Sequence, residues 1–86
     1  MKEFITSIFD GAKADSVGVR RFTKAMKSKL AAKRAEGRGG WNRLPENGYG
    51  TSIARLRRMM LKHVEKGDPV DIANFCMMIW NRSNPR

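Results

Sequence analysis

The chain has one cysteine, one histidine and one tyrosine in 86 residues, and 8 acidic residues against 18 basic ones. Cys76 alone cannot close an internal disulfide, and with His63 as the single histidine it cannot complete a Cys/His zinc site. Carboxylates are too few and too dispersed to suggest an oxygen-ligated metal centre, so neither metal nor cofactor is expected. The longest apolar stretch, Ile72 to Trp80, is short and contains Asn74, which excludes a membrane-spanning segment by the usual requirement of about 18 apolar residues. The opening Met-Lys-Glu-Phe-Ile-Thr-Ser has neither the apolar core nor the cleavage site of a secretory signal, so the cytoplasm is the expected location. No sustained alternation of period two and no β-branched cluster is present, which removes strands from consideration. Phosphate-loop and dinucleotide fingerprints are also missing.

What remains is ordinary globular material with a strong charge bias. Apolar residues make up 41% and charged residues 30%, with a formal charge of +10. Such a composition folds. A domain of this size buries only about 60 to 65% of the surface its unfolded chain exposes, so its core is marginal and a homo-oligomer is expected. The pattern predicts an all-α fold in one domain spanning residues 1–86, a compact bundle of three main helices plus a short N-terminal helix. Phe4, Ile5, Ile8 and Phe9 share one side of that short helix, which is expected to end at Gly11. The second helix is expected from an N-cap at Asp15 or Ser16 to Glu36, with Val19, Phe22, Met26 and Leu30 as its apolar line. The third is expected to follow Thr51 or Ser52 and carry Ile53, Leu56, Met60 and Val64 on one face, with Gly67 closing it. Asp68 then suits an N-cap and Pro69 the first position of a fourth helix running to about Arg82. That helix is apolar nearly all round, so it belongs at the centre or in a subunit interface, and the third and fourth helices form an antiparallel hairpin.

Between Asp15 and Glu36 no acid interrupts seven basic residues, and Arg20, Lys24, Lys27 and Arg34 fall near one line of the helix. Arg55, Arg58, Lys62 and Lys66 repeat the arrangement on the third helix. Like charges at these spacings repel by a few tenths of a kcal/mol per pair, a cost that a phosphate-bearing partner would offset. A basic face that serves only solubility is the competing reading.

Residues 37–50 form the expected glycine-rich loop, with Arg38 and Arg43 placed to pair with phosphate oxygens and Trp41 and Tyr49 available to stack on a base. A hinge whose Trp41 fills the core is the alternative. Catalytic groups are harder to assemble. His63 has no evident relay, Cys76 lies among Phe75, Met77 and Met78 and is expected in the core as an inert thiol, and Asp68 and Asp71 suit a helix start. The chain is therefore expected not to be an enzyme.

The segments Met26-Lys-Ser-Lys-Leu-Ala-Ala-Lys-Arg34, Gly37-Arg-Gly-Gly-Trp41, Leu61-Lys-His63 and Lys66-Gly-Asp-Pro-Val-Asp-Ile-Ala-Asn-Phe-Cys-Met-Met78 resemble small bacteriophage-encoded proteins, with the last string the most specific. The resemblance implies a phage source and a helical fold. Asp71-Ile-Ala-Asn-Phe75 is also similar to the second acidic helix of MazG-like nucleotide pyrophosphohydrolases, but no Glu-Glu-x-x-Glu helix accompanies it and the corresponding faces are basic. In kind, the chain is similar to the small oligomeric phage sponges that sequester cyclic nucleotide or cyclic ADP-ribose immune signals. The expected function is capture of a phosphorylated nucleotide-type ligand. The alternative is a DNA- or RNA-binding protein, or an inhibitor of a host nucleic-acid-binding complex, in which the basic faces follow an anionic surface.

Overall fold

The computed structural model describes residues 10–45 and 50–85. The expected N-terminal helix and Tyr49 lie outside the described residues, as does part of the expected 37–50 loop. The described residues contain three α-helices and no strand: α1 Gly11–Ala35, α2 Ile53–Lys66 and α3 Pro69–Ser83.

Helix α1 begins earlier than the sequence pattern predicts. Asp10, rather than Asp15 or Ser16, is the N-cap, and its side chain accepts a hydrogen bond from the Lys13 backbone N–H at 3.1 Å. Gly11, expected to end a preceding helix, is instead the first residue of α1. Asp10 and Asp15 offer the same capping chemistry, and Ala12, Lys13 and Ala14 between them are good helix formers, so the helix extends to the earlier acid. At its other end Lys33 and Arg34 occupy the last turn, where cations complement the helix dipole, and the cap is Glu36.

The two shorter helices start where their capping residues predict. Ser52 accepts from the Arg55 N–H, while the Asp68 carboxylate accepts from the Val70 and Asp71 N–H groups, with Pro69 entering the first turn where its missing N–H costs nothing. Between them Gly67 adopts φ 77°, a left-handed conformation that costs a residue with a Cβ about 1 kcal/mol or more, and its N–H donates to the His63 and Val64 carbonyls. The result is an antiparallel helical hairpin. Its register is visible in paired side chains: Cys76 Sγ lies 3.5 Å from Met60 Sδ, and the His63 ring packs against Phe75 with centroids 5.0 Å apart.

Helix α1 crosses the hairpin on the α3 side and is held there by two polar contacts. Asn74 Nδ2 donates to the Met26 carbonyl at 3.3 Å, and Lys29 Nζ donates to Asp68 at 2.9 Å while lying 3.5 Å from Asp71. A 25-residue helix is about 37 Å long whereas a 15-residue helix is about 22 Å, so the hairpin cannot cover all of α1. Val19 and Phe22, two members of the predicted apolar line, are accordingly exposed, and Val17 is buried instead.

The core is thin. Among the described residues only Val17 and Leu56 are fully buried apolar side chains, and Asn74 is the buried polar one. Helix α3 turns one side to α1 and presents Trp80 to solvent, close to the exposed Leu61 of α2. Cys76 is on that outer side as well, exposed rather than buried in the core. Position 74 faces α1, and two residues further round a helix, about 200°, points away from it.

The Lys29 contact has a pH signature. The ammonium beside Asp68 holds the aspartate pKa down at about 2, from an ordinary value of 3.8. A depressed folded-state pKa contributes stability that is complete above the unfolded value and lost as pH falls towards the folded one. The melting temperature should therefore fall between pH 4 and pH 2 by more in the native chain than in Asp68→Asn. Asparagine keeps the N-cap, so the substitution isolates the charge. Parallel pH dependences in thermal melts of the two proteins would show that the ion pair contributes nothing to stability.

Candidate ligand-binding groove

Helix α1, the segment after it, α2 and α3 enclose a groove of about 530 Å³. The last turns of α1 bring Lys33 and Arg34 to one wall, the following segment adds Arg38 and Trp41, and the first turn of α2 adds Arg55. The floor is apolar and comes from all three helices, with Leu30, Leu56, Met59 and Phe75. Cations above an apolar floor with an aromatic ring at the side can take a ligand that is anionic at one end and flat and apolar at the other.

The charge of the groove is lower than its roster of bases suggests. Lys29 reaches the groove but is engaged by Asp68 and Asp71, which raise its pKa above the usual lysine value. Arg38 pairs with Glu36 and holds that carboxyl below its ordinary pKa. Asp71 also reaches the groove, with its Oδ2 3.8 Å from His63 Nε2. The other ring nitrogen, Nδ1, is 2.8 Å from the Met59 carbonyl, so in the tautomer protonated at Nδ1 the imidazole donates there and turns a lone pair towards Asp71. His63 is part-buried within the hairpin, with Nδ1 engaged by the Met59 carbonyl and Nε2 facing the Asp71 carboxylate.

A clamp on the segment after α1 positions Trp41. Arg82, near the end of α3, donates from Nη1 to the carbonyls of Thr51 at 2.6 Å and Trp41 at 2.7 Å, and lies 3.4 Å from that of Arg43. The Thr51 N–H donates in turn to the Arg43 carbonyl. Gly50 allows this closure, since a Cβ there would run into the backbone of Leu44 and Arg43. Backbone from both sides of residues 44–50 is thus gathered on one guanidinium.

Of the residues singled out in the sequence, Arg34, Arg38, Arg55 and Trp41 come together at the groove. Arg20, Lys24 and Lys27 are exposed on α1, Arg58 and Lys62 are exposed on α2, and the groove does not include them. Arg43 contributes its backbone carbonyl to the clamp, and its side chain is not part of the groove wall. Tyr49 lies outside the described residues. Two important residues carried little sequence signal. Asn74 is visible only as a polar interruption in an apolar helix, and Arg82 resembles an ordinary cation near a helix C-terminus.

No protein-family model matches the chain, and neither a curated protein nor a solved structure matches it. Among the described residues, no helix is long and apolar enough to cross a membrane.

Proposed function

We propose that this chain is a non-enzymatic, phage-encoded accessory protein that captures and sequesters a phosphorylated nucleotide-type ligand, of the kind represented by cyclic nucleotide or cyclic ADP-ribose signals. One observation carries the reading: Arg34, Arg38 and Arg55 meet Trp41 and an apolar floor around a single groove of about 530 Å³. That volume falls within the roughly 300–1,000 Å³ of small-molecule sites. Arginines supply planar, bidentate donors for phosphate oxygens, and the indole offers a stacking face for a base. A second copy packed on the exposed Leu61 and Trp80 face would add the burial that a core with so few enclosed apolar residues lacks.

The second reading, a nucleic-acid binder, rests on the exposed cations outside the groove, Lys24 and Lys27 on α1 with Arg58 and Lys62 on α2. The two readings separate in one titration series. If the groove captures nucleotides, Arg38→Ala and Trp41→Ala each weaken binding by about 1 to 3 kcal/mol in calorimetry, while Lys24→Ala leaves it nearly unchanged. If the helical cations follow a nucleic-acid backbone, the groove variants bind duplex DNA normally and Lys24→Ala lowers the salt slope by about one.

A further inference from the structure

We infer that the captured ligand carries two phosphate groups held apart, one for each wall of the groove; this rests on the nucleotide-capture reading of the same site. The placement of the helices is the first observation. Helix α1 packs on α3 and α3 on α2, but among the described residues α1 and α2 do not pack on each other. The groove lies where those two helices part. Arg34, near the end of α1, and Arg55, in the first turn of α2, therefore stand on different walls, with Phe75 of α3 on the floor.

The second observation is the charge that these walls leave uncompensated. Lys29, Lys33, Arg34, Arg38 and Arg55 line the groove, and three carboxylates answer them. Asp68 and Asp71 hold Lys29, while Glu36 pairs with Arg38 and is also lowered in pKa by Lys33. Arg34 and Arg55 are the two groove cations with no acidic partner among the described residues. A guanidinium presents its donors as a planar fork that takes two oxygens of one phosphate. One such fork stands on each wall, so a single phosphate gripped by one of them leaves the other unmatched above an apolar floor. A nucleotide with phosphates on both sides of its ribose answers both forks and still places its base on Trp41.

The test compares three adenosine probes on the native full-length chain, by calorimetry at one physiological ionic strength: the 5′-monophosphate, the 5′-diphosphate, whose phosphates are adjacent, and the 3′,5′-bisphosphate, whose phosphates flank the ribose. The bisphosphate should bind about 10- to 150-fold more tightly than the monophosphate, the range for hydrogen bonds to a charged group, and more tightly than the diphosphate. Arg34→Ala and Arg55→Ala should each remove most of that advantage. Both side chains are exposed and make no hydrogen bond among the described residues, so neither change removes a contact of the fold. Lys24→Ala removes the same charge from outside the groove and should preserve the advantage. From Lys24 to Arg34 the helix rises about 15 Å, beyond the screening length of about 8 Å at physiological salt. A bisphosphate that binds no better than the monophosphate, with both dependent on Trp41, overturns the two-phosphate inference and leaves nucleotide capture standing. So does an advantage equalled by the diphosphate or lost to the same extent in Lys24→Ala, since either reports charge alone. Binding of none of the three overturns capture itself.

Discussion

Replacing Arg82 with alanine should lower stability by about 1.5 to 3 kcal/mol, the range for hydrogen bonds made by a charged donor. In a domain of this size that corresponds to a fall of roughly 6 to 24 °C in melting temperature. Nη1 has two hydrogens, and the Thr51 and Trp41 carbonyls at 2.6 and 2.7 Å take them, with the Arg43 carbonyl as a weaker third acceptor. Their removal leaves part-buried carbonyls without a donor and frees the segment that carries Trp41 to the groove. Lysine should restore only part of the loss, because its ammonium sits one bond closer to the backbone than Nη1 and cannot reach the carbonyls at the same distances. Thermal unfolding by circular dichroism gives the first number. Hydrogen exchange at the Thr51 N–H, bonded to the Arg43 carbonyl, reports on the closure directly. An unchanged melting temperature with unchanged protection at Thr51 would mean that the clamp contributes nothing.

The largest effect is expected at Leu56. It is 2% exposed, forms part of the groove floor and is one of only two fully buried apolar side chains among the described residues. Leucine-to-alanine changes at buried sites cost about 2 to 5 kcal/mol, the sum of lost transfer free energy and the cavity left behind. A domain of 86 residues has a total stability of about 4 to 13 kcal/mol. Leu56→Ala should therefore shift the urea midpoint far down, whereas Leu56→Met, close in volume, should cost less than about 1.5 kcal/mol. Similar midpoints for the alanine and methionine variants would mean that the groove floor collapses around the missing atoms.

Features settled by local chemistry were legible in the sequence. Ser52, Asp68-Pro69 and Gly67 mark their helix ends because a cap acts on backbone groups two or three residues away. The start of α1 was misplaced, because Asp15 and Ser16 offer the same local capping chemistry as Asp10, which is the residue that caps. Burial depends on what packs where. A helical wheel places Val19, Phe22, Met26 and Leu30 on one line, but the hairpin meets only part of α1, and Val19 and Phe22 remain exposed. Cys76 was misplaced because its neighbours along the chain are apolar, while its own direction on α3 is outward.

The groove was legible in part. Arg34, Arg38, Arg55 and Trp41 stood out as cations and an aromatic near a glycine-rich stretch, and they do converge. The continuous stripe expected from Arg20 to Arg34 divides, because the segment carrying Arg38 and Trp41 comes back against the final turns of α1 alone. Arg82 could not have been identified from pattern. Its acceptors are backbone carbonyls 31 to 41 positions away, and a carbonyl has no side-chain signature.

The gathering of the Trp41, Arg43 and Thr51 carbonyls onto one guanidinium also separates the length of the intervening segment from the shape of the groove. Once its ends are pinned, lengthening such a segment costs only about 0.6 kcal/mol per doubling. Residues 44–50 are thus a natural port for cargo: an epitope, an affinity peptide or a fluorophore-bearing insert can be carried there, tethered to the frame by contacts that do not count how many residues pass between them.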